Sequence, residues 1–459
     1  MRNANKIVRV AAGAGSWGDD VAEPRAVLER AEVDYLVLDY LAEVTLSIMQ
    51  GQREKDSTQG YATDFLSVVR DIAPYLTADG VRIVTNAGGL NPEECARQVV
   101  ALLSEIGVPH EVSVAVVDGD DLMPQLASLA ERNAFASLDD QGPFSGVAES
   151  ILSANAYLGA EPIRRALELG ARIVITGRCA DVSLTVGPLL HEFAWEDWDS
   201  IAGGVVAGHL LECGPQSTGG NSHLWPSISA REPAGYPIAE VSSDGTFVLT
   251  KASGSAGCVN VESVTEQLLH EVFDPAAVLT PDATVDWRTI QLEECGDDRV
   301  RVSGVKGSSP PDSLKVSMTY RDGYRVVLMW PYAWPNAVAK AEAVLERMSR
   351  SVERVGVRIQ GSRSDIFGTG AIHGPRIRHA YPSINTEPAE VFARYAARVG
   401  TLAEARTLSA QQAPMLYGPP GQAGHIGGGR GQVSKVYSHW ATTIDVTHVT
   451  PRIRLFPRG

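Results

Sequence analysis

Through the first half of the chain, apolar runs of four to six residues alternate with longer stretches in which apolar positions recur every three or four residues. The runs at 7–11, 35–38, 82–85, 112–117 and 172–176 read as buried strands, and the stretches at 24–30, 42–50, 63–73, 92–106 and 162–169 as amphipathic helices. Pro92 and Pro162 each suit a first helical turn, where the missing N–H has no partner to lose. Nearly unbroken apolar strands separated by helices are the pattern of a sheet covered on both faces. The fold class expected is therefore α/β, with a doubly wound, mainly parallel sheet.

After about Gly235 the pattern shifts to period two, at 246–250, 299–303, 314–319 and 324–330, followed by a helix over 335–352 and a strand over 355–359. That order predicts a second, α+β domain, dividing the chain into 1–235 and 236–459. Residues 307–313, rich in Ser and Pro, read as an exposed loop. The segment 418–431 carries seven glycines in fourteen residues, too many for a helix or strand, and reads as a loop that is mobile or lies close to a ligand.

Composition narrows the function classes. With 459 residues, 44% of them apolar, the chain is long enough for two to four domains with real cores. Lys and Arg total 40 against 55 Asp and Glu, a net charge of −15, and no basic cluster offsets it, so nucleic acid and anionic membrane surfaces are poor partners. No run of 18 apolar residues occurs. The five cysteines are scattered without a CxxC pair, as in a reducing compartment. The reading is a soluble cytoplasmic protein, expected to be oligomeric.

Ligands of open α/β sheets collect at the carboxyl ends of the strands, where loops and helix N-termini converge. The first strand leads into Gly13-Ala14-Gly15-Ser16-Trp17-Gly18-Asp19-Asp20, a literal GxGxxG, with Asp39 ending the next strand where a ribose-binding acid would lie. The two aspartates after Gly18 would repel a pyrophosphate, and helical signal resumes only at Pro24, so a plain glycine turn competes with a dinucleotide loop. The third strand leads into Asn86, Gly88, Gly89 and Asn91, where glycines permit close approach and Asn91 can cap the helix starting at Pro92. An anion site and a well-capped helix are both consistent with that loop. Asp118, Asp120 and Asp121 follow the fourth strand and read as a solvated turn and cap.

Arg178 and Asp181 flank the exit of the fifth strand, where an arginine can fork onto a carboxylate and the aspartate can orient it or act as a base. A structural ion pair would leave the same trace. His209, Glu212 and Cys213 share one face of a helix that stops at Gly214, upstream of Thr218, Gly219, Gly220 and Asn221. Acid/base work by His209 or Glu212 is favoured over metal binding, since no second His or Cys pair completes a zinc set; no metal is expected. His373, His425 and Arg430 are further candidates from the second half of the chain.

Several runs are shared with one family: Trp17-Gly18-Asp19-Asp20, Asp39 to Thr45, Thr85 to Pro92, Ser153-Ala154-Asn155-Ala156-Tyr157-Leu158-Gly159, Thr176-Gly177-Arg178, Ala207 to Gly214, Thr218 to Asn221 and Gly235 to Glu240. They resemble the acyclic terpene utilisation A (AtuA-like) family, in one order over about 7–417. The resemblance implies a setting in which citronellol- and geraniol-type compounds are degraded through branched acyl-CoA thioesters, with no settled reaction to carry over. Many relatives add a small ferredoxin-like C-terminal domain. The chain lacks one at its end, so a separately encoded small subunit is an expected partner. Cys179 departs from the residue type the resemblance suggests after the arginine, which argues against a shared catalytic thiol.

Together these readings favour an enzyme acting on a small branched carboxylic acid or its CoA thioester, a lyase of the hydratase or dehydratase type, with Asp39, Glu43, Arg178, Asp181, His209 and Glu212 as catalytic candidates. Asn86, Gly88, Gly89, Asn91, Asn155, Thr218, Gly219, Gly220 and Asn221 are the substrate-binding candidates. No cofactor is expected beyond CoA as part of the substrate. Two alternatives stand beside it: an NAD(P)-dependent oxidoreductase using the Gly13–Gly18 loop, and a non-catalytic subunit that binds an acyl ligand or holds a partner enzyme.

Overall fold

The computed structural model describes residues 6–77, 80–138, 142–229, 232–374, 387–416, 418–421 and 430–456. Its contacts divide the chain into one unit of Met1–Thr319 with His439–Gly459 and a second of Tyr320–Ser438.

The first unit is built on a ten-stranded sheet. Five adjacent strands, in spatial order Ile7–Ala14, Tyr35–Leu38, Arg82–Thr85, Ile173–Thr176 and Val114–Asp118, are all parallel, and the other five join antiparallel, so the sheet is mixed where a mainly parallel one was expected. Three of them, Tyr35–Leu38, Val114–Asp118 and Ile173–Thr176, are buried at every position, which only a sheet sealed on both faces allows. The expected strands and helices of this half are present, with ends shifted by a few residues. The strands Pro237–Ser242 and Phe247–Lys251 lie beyond the boundary expected near Gly235, yet Pro237–Ser242 pairs antiparallel with Ile7–Ala14 and so extends the same sheet. At the other edge Arg452–Phe456 pairs antiparallel with Val114–Asp118.

Helices cover the sheet in two groups. Glu23–Arg30, Asp64–Thr77 and Pro92–Glu105 pack successively on one another, as do Glu161–Glu168, Ser183–Phe193 and Trp198–Glu212. The first group accompanies strands laid down in one direction, and Ile173–Thr176 then turns back to insert between Arg82–Thr85 and Val114–Asp118. Right-handed crossovers put the two groups on opposite faces. The loops leaving Arg82–Thr85 and Ile173–Thr176 therefore part to opposite sides and open a crevice at their carboxyl ends.

Two expectations need correction here. The acids after the fourth strand are not a solvated turn: Asp118 is gripped by Arg452 and Arg454, Asp120 is buried, and only Asp121 caps a turn, at Met123 N. Residues 307–313 are not simply an exposed loop either, because Lys306–Ser308 is a strand paired with Thr284–Asp286.

In the second unit alternate residues Val326, Leu328, Trp330 and Tyr332 of the strand Ser313–Ala333, and Val391 to Val399 of Glu390–Val399, face one side. Ala341, Val344, Leu345, Met348 and Val352 of the helix Ala337–Val355 fill that side at helical spacing. Each large side chain so buried contributes roughly 1.5–3 kcal/mol.

Candidate functional site

Asp39 and Asn86 end neighbouring parallel strands, which sets them side by side. Asn86 Nδ2 donates to Asp39 Oδ1 at 2.6 Å, while Asn86 Oδ1 accepts Tyr40 N–H at 2.7 Å. Both amide ends of Asn86 are thus committed to the loop after Asp39. Asp39 Oδ1 also accepts Leu41 N–H at 3.1 Å. Burial pushes the Asp39 carboxyl well up, the nearby Asp181 charge adds to it, and Asn86 and Arg178 only partly oppose them.

Arg178, buried at the turn out of Ile173–Thr176, is the floor of the site. Its Nη1 donates to Leu41 O at 3.0 Å and to Asp181 Oδ1 at 2.8 Å, and Nη2 approaches Asp181 Oδ2 at 3.4 Å. Its guanidinium lies 4.0 Å from the centre of the Tyr157 ring, and Nε has no hydrogen-bond partner. Asp181 remains 32% exposed at its side chain. Burial pushes it up to about 6, against the pull of Arg178 and with the help of Glu212 and Glu43.

Glu43, at the start of the helix Glu43–Arg53, accepts from Tyr157 Oη at 2.5 Å and from Lys315 Nζ at 2.8 Å. Burial raises its carboxyl, but those two hydrogen bonds outweigh it and hold Glu43 well below the usual carboxylate range. Lys315 Nζ also stands 4.8 Å from the Tyr157 ring centre. Asp39, Glu43, Arg178 and Asp181 thus converge, joined by Tyr157 and Lys315, which the sequence reading did not single out. Tyr157 lies inside one of the runs on which the family resemblance was drawn, whereas nothing around Lys315 marks it in the sequence.

Asp120 forms the wall behind Arg178. Its Oδ2 accepts Arg178 N–H at 2.9 Å and Asn155 Nδ2 at 2.8 Å, and burial pushes the carboxyl up to about 6. Beyond it lies a cleft of about 290 Å³ whose lining includes Asn155, Gln50, Arg53 and Ser153.

The other candidates lie differently. Gly88 and Gly89 are buried; a Cβ at Gly88 would come within 2.4 Å of Thr176 O, so the close approach is to the neighbouring strand. Asn91 occupies the N-cap position without capping, because its side chain reaches back to Gln59 O at 3.1 Å. His209 Nε2 lies 2.8 Å from Gln267 O and Nδ1 lies 3.0 Å from Glu212, with Gln267 Nε2 returning a bond to His209 O, so the imidazole ties Trp198–Glu212 to the helix Val261–Leu268. Glu212 is close enough to help raise Asp181. The Thr218 hydroxyl reaches Gly235 O at 2.6 Å, Asn221 is exposed, and Gly219 and Gly220 line a separate cavity of about 400 Å³ with Asp19, Asp20, Glu23 and Glu232.

In the Gly13–Gly18 loop, Gly15 N–H and Ser16 N–H both donate to Asp19 Oδ2, at 2.7 and 3.2 Å, and the helix begins only at Glu23. The amides a pyrophosphate would use hold an internal carboxylate instead. The Cys179 thiol is buried and pushed far up. His373 is exposed, and His425 lies outside the described residues. Among the described residues no group of three or more His, Cys, Asp and Glu side chains is placed to hold a metal ion, and no helix is long and apolar enough to cross a membrane.

The match that decides the family covers nearly the whole chain: residues 8–455 fit the model of the acyclic terpene utilisation family protein AtuA. The chain belongs to the AtuA family. No curated protein and no solved structure matches it. Within this AtuA family chain, Asp39, Asn86 and Arg178 stand just past the carboxyl ends of the parallel strands, Glu212 ends a helix of the same unit, and Asn155 lies in the strand Ile151–Ala156, which pairs with Ser313–Ala333.

Proposed function

We propose that this AtuA family protein is a lyase of the hydro-lyase type, acting on a small branched carboxylic acid or its CoA thioester by acid/base chemistry. The observation that carries the reading is a pair of carboxyls, Asp39 and Asp181, in different surroundings beside one buried arginine: Asp39 is bound by Asn86 Nδ2 and Leu41 N–H, and Asp181 by Arg178 itself. Burial pushes both carboxyls up, Asp39 well above the usual carboxylate range with the Asp181 charge adding to it, and Asp181 to about 6. Pairs of acids whose surroundings drive them apart divide naturally into donor and base.

In the dehydrating direction Asp181 removes the proton beside the carbonyl and Arg178 stabilises the negative charge that develops on the oxygen. Asp39 then protonates the departing hydroxyl. The C–H and C–O bonds break, a C=C bond forms and water leaves; hydration is the reverse. Glu43, Tyr157 and Lys315 hold the face of Arg178 opposite the entering substrate in this reading. The family resemblance also makes a small ferredoxin-like subunit a partner to seek by co-purification.

The test is to incubate the purified protein with branched 3-hydroxyacyl and enoyl CoA thioesters, and with the free acids, and to follow the gain or loss of water by mass spectrometry. Turnover abolished by Asp181→Asn supports the assignment. Turnover undiminished in both Asp181→Asn and Asp39→Asn overturns it.

A further inference from the structure

Among the described residues, both cations at the site already have a carboxylate against them. The fork of Arg178 is taken by Asp181, with Nη1 on Oδ1 at 2.8 Å and Nη2 towards Oδ2 at 3.4 Å. The second Nη1 proton goes to Leu41 O, and the Tyr157 ring covers one face. The expectation that Arg178 forks onto a substrate carboxylate therefore fails, because a carboxylate could take that edge only by displacing Asp181. Lys315 is the other cation, and its Nζ sits 2.8 Å from Glu43 Oε1.

Carboxyls, by contrast, are in surplus. Asp39 is hydrogen-bonded by Asn86 and the Leu41 N–H and by neither cation, and Glu212 stands close enough to act on Asp181. Asp39 shows what an additional carboxyl meets here: buried and beside the Asp181 charge, it is pushed well up, towards its neutral form. A substrate entering as a carboxylate would lose its water in the same way and find no unpaired cation in exchange. It would also have to take a second negative charge on the same carboxyl when the neighbouring proton is removed. A neutral carbonyl brings no charge on binding and develops it only in the transition state, where Arg178 acts on it.

Lys315 is the cation that could answer a carboxylate, since its side chain stays 46% exposed while Arg178 is buried. Glu43 offsets that charge. It is fixed at the start of the helix Glu43–Arg53 by Tyr157 Oη at 2.5 Å, and it is held well below the usual carboxylate range, so it stays ionised.

We infer that the site takes its substrate as a neutral carbonyl compound, an ester, thioester or amide, and turns away the free carboxylate, and that Glu43 sets this choice by keeping Lys315 in an ion pair. The inference rests on the acid/base reading above, which puts the reacting carbonyl beside Arg178 and Asp181.

The probes are 3-hydroxy-3-methylbutanamide and 3-hydroxy-3-methylbutanoate, alike in shape and different in charge, titrated against the full chain near neutral pH by ligand-observed NMR. The wild type should hold the amide about ten-fold more tightly than the acid. Glu43→Gln keeps an oxygen for Tyr157 but releases Lys315, so it should strengthen the acid by about ten-fold and leave the amide little changed. Adding Lys315→Gln should remove that gain. Damage to the fold would weaken both probes and not strengthen one, and the wild-type comparison stands without the variants. Acid bound as tightly as amide by the wild type, no gain for the acid in Glu43→Gln, or no binding of either probe overturns the inference. Because binding is read without turnover, preference for the amide in a protein that converts no hydroxyacyl compound would sustain the inference and defeat the lyase assignment. Free acid and thioester turned over with equal kcat/KM, and both lost in Asp181→Asn, would do the reverse.

Discussion

At Asp181 and Asp39 a few ångströms of buried surroundings push both carboxyls above the ordinary carboxylate range. Since Asp181 is pushed up to about 6, kcat/KM for the proposed substrates should rise with pH through about 6 as the base form appears. Asp181→Asn should remove that limb and lower kcat by about 100-fold or more, as loss of a general base does, read from initial rates across pH 4.5–8. Asp120 makes a separate prediction about stability. Its folded-state pKa is raised to about 6 from the ordinary 3.8, so its contribution is fully present below about pH 4 and is lost as pH rises through about 6. The loss is on the order of 3 kcal/mol. Because one oxygen, Oδ2, accepts both N–H groups, Asp120→Asn can keep both bonds, and urea titrations should show the decline between pH 4 and 6 flattened in the variant. Arg178 and Asp181 were legible in the sequence as a pair at a strand exit, but their partners were not. Lys315 comes from far along the chain, and only folding brings it to Tyr157 and Glu43.

The helix Trp198–Glu212 is buried from Ser200 to Leu211 on every side, so it carries no polar stripe and the sequence marks only its end near Gly214; Ser183–Phe193, almost as buried, was not legible at all, whereas the helices read upstream bury one face only. Gly208 explains how tightly Trp198–Glu212 is held: a Cβ there would lie 2.8 Å from the backbone of Val182. Gly208→Ala should therefore force it away from the start of Ser183–Phe193, lowering Tm and proposed activity together. The next residue, His209, ties the same helix to Val261–Leu268. Burial lowers its pKa, but the hydrogen bond it donates to Glu212, the Glu212 charge and the Gln267 carbonyl together outweigh that and leave it raised. Its stabilising contribution is then full below the ordinary histidine value and lost as pH rises through the higher folded one. His209→Leu should cost about 2 kcal/mol in denaturant unfolding at pH 6, through the bonds left unmade at Gln267 and Glu212, and should leave the kinetic limb at about 6 in place. Retention of that limb would mark His209 as a positioning residue, and its loss would return it to the chemistry.

The first unit is discontinuous in sequence, and no local pattern announces this. The break at 235 was inferred from a change of periodicity, but period two marks antiparallel strands whether they begin a new domain or extend an old sheet, and Pro237–Ser242 extends it. The outermost strand, Arg452–Phe456, holds Val114–Asp118 by its ladder and by Arg452 and Arg454 on Asp118, at 2.7 and 2.8 Å. Deleting 452–456 should expose the edge of Val114–Asp118, lower Tm and produce concentration-dependent aggregation in light scattering, because unpaired edges recruit other strands. An intact, monodisperse product would show that this strand is dispensable.

That arrangement carries a consequence for how the protein is made. Residues 452–456 leave the ribosome after the entire second unit, so a nascent chain holds a nearly finished sheet with its flank uncovered while more than a hundred intervening residues are still being translated.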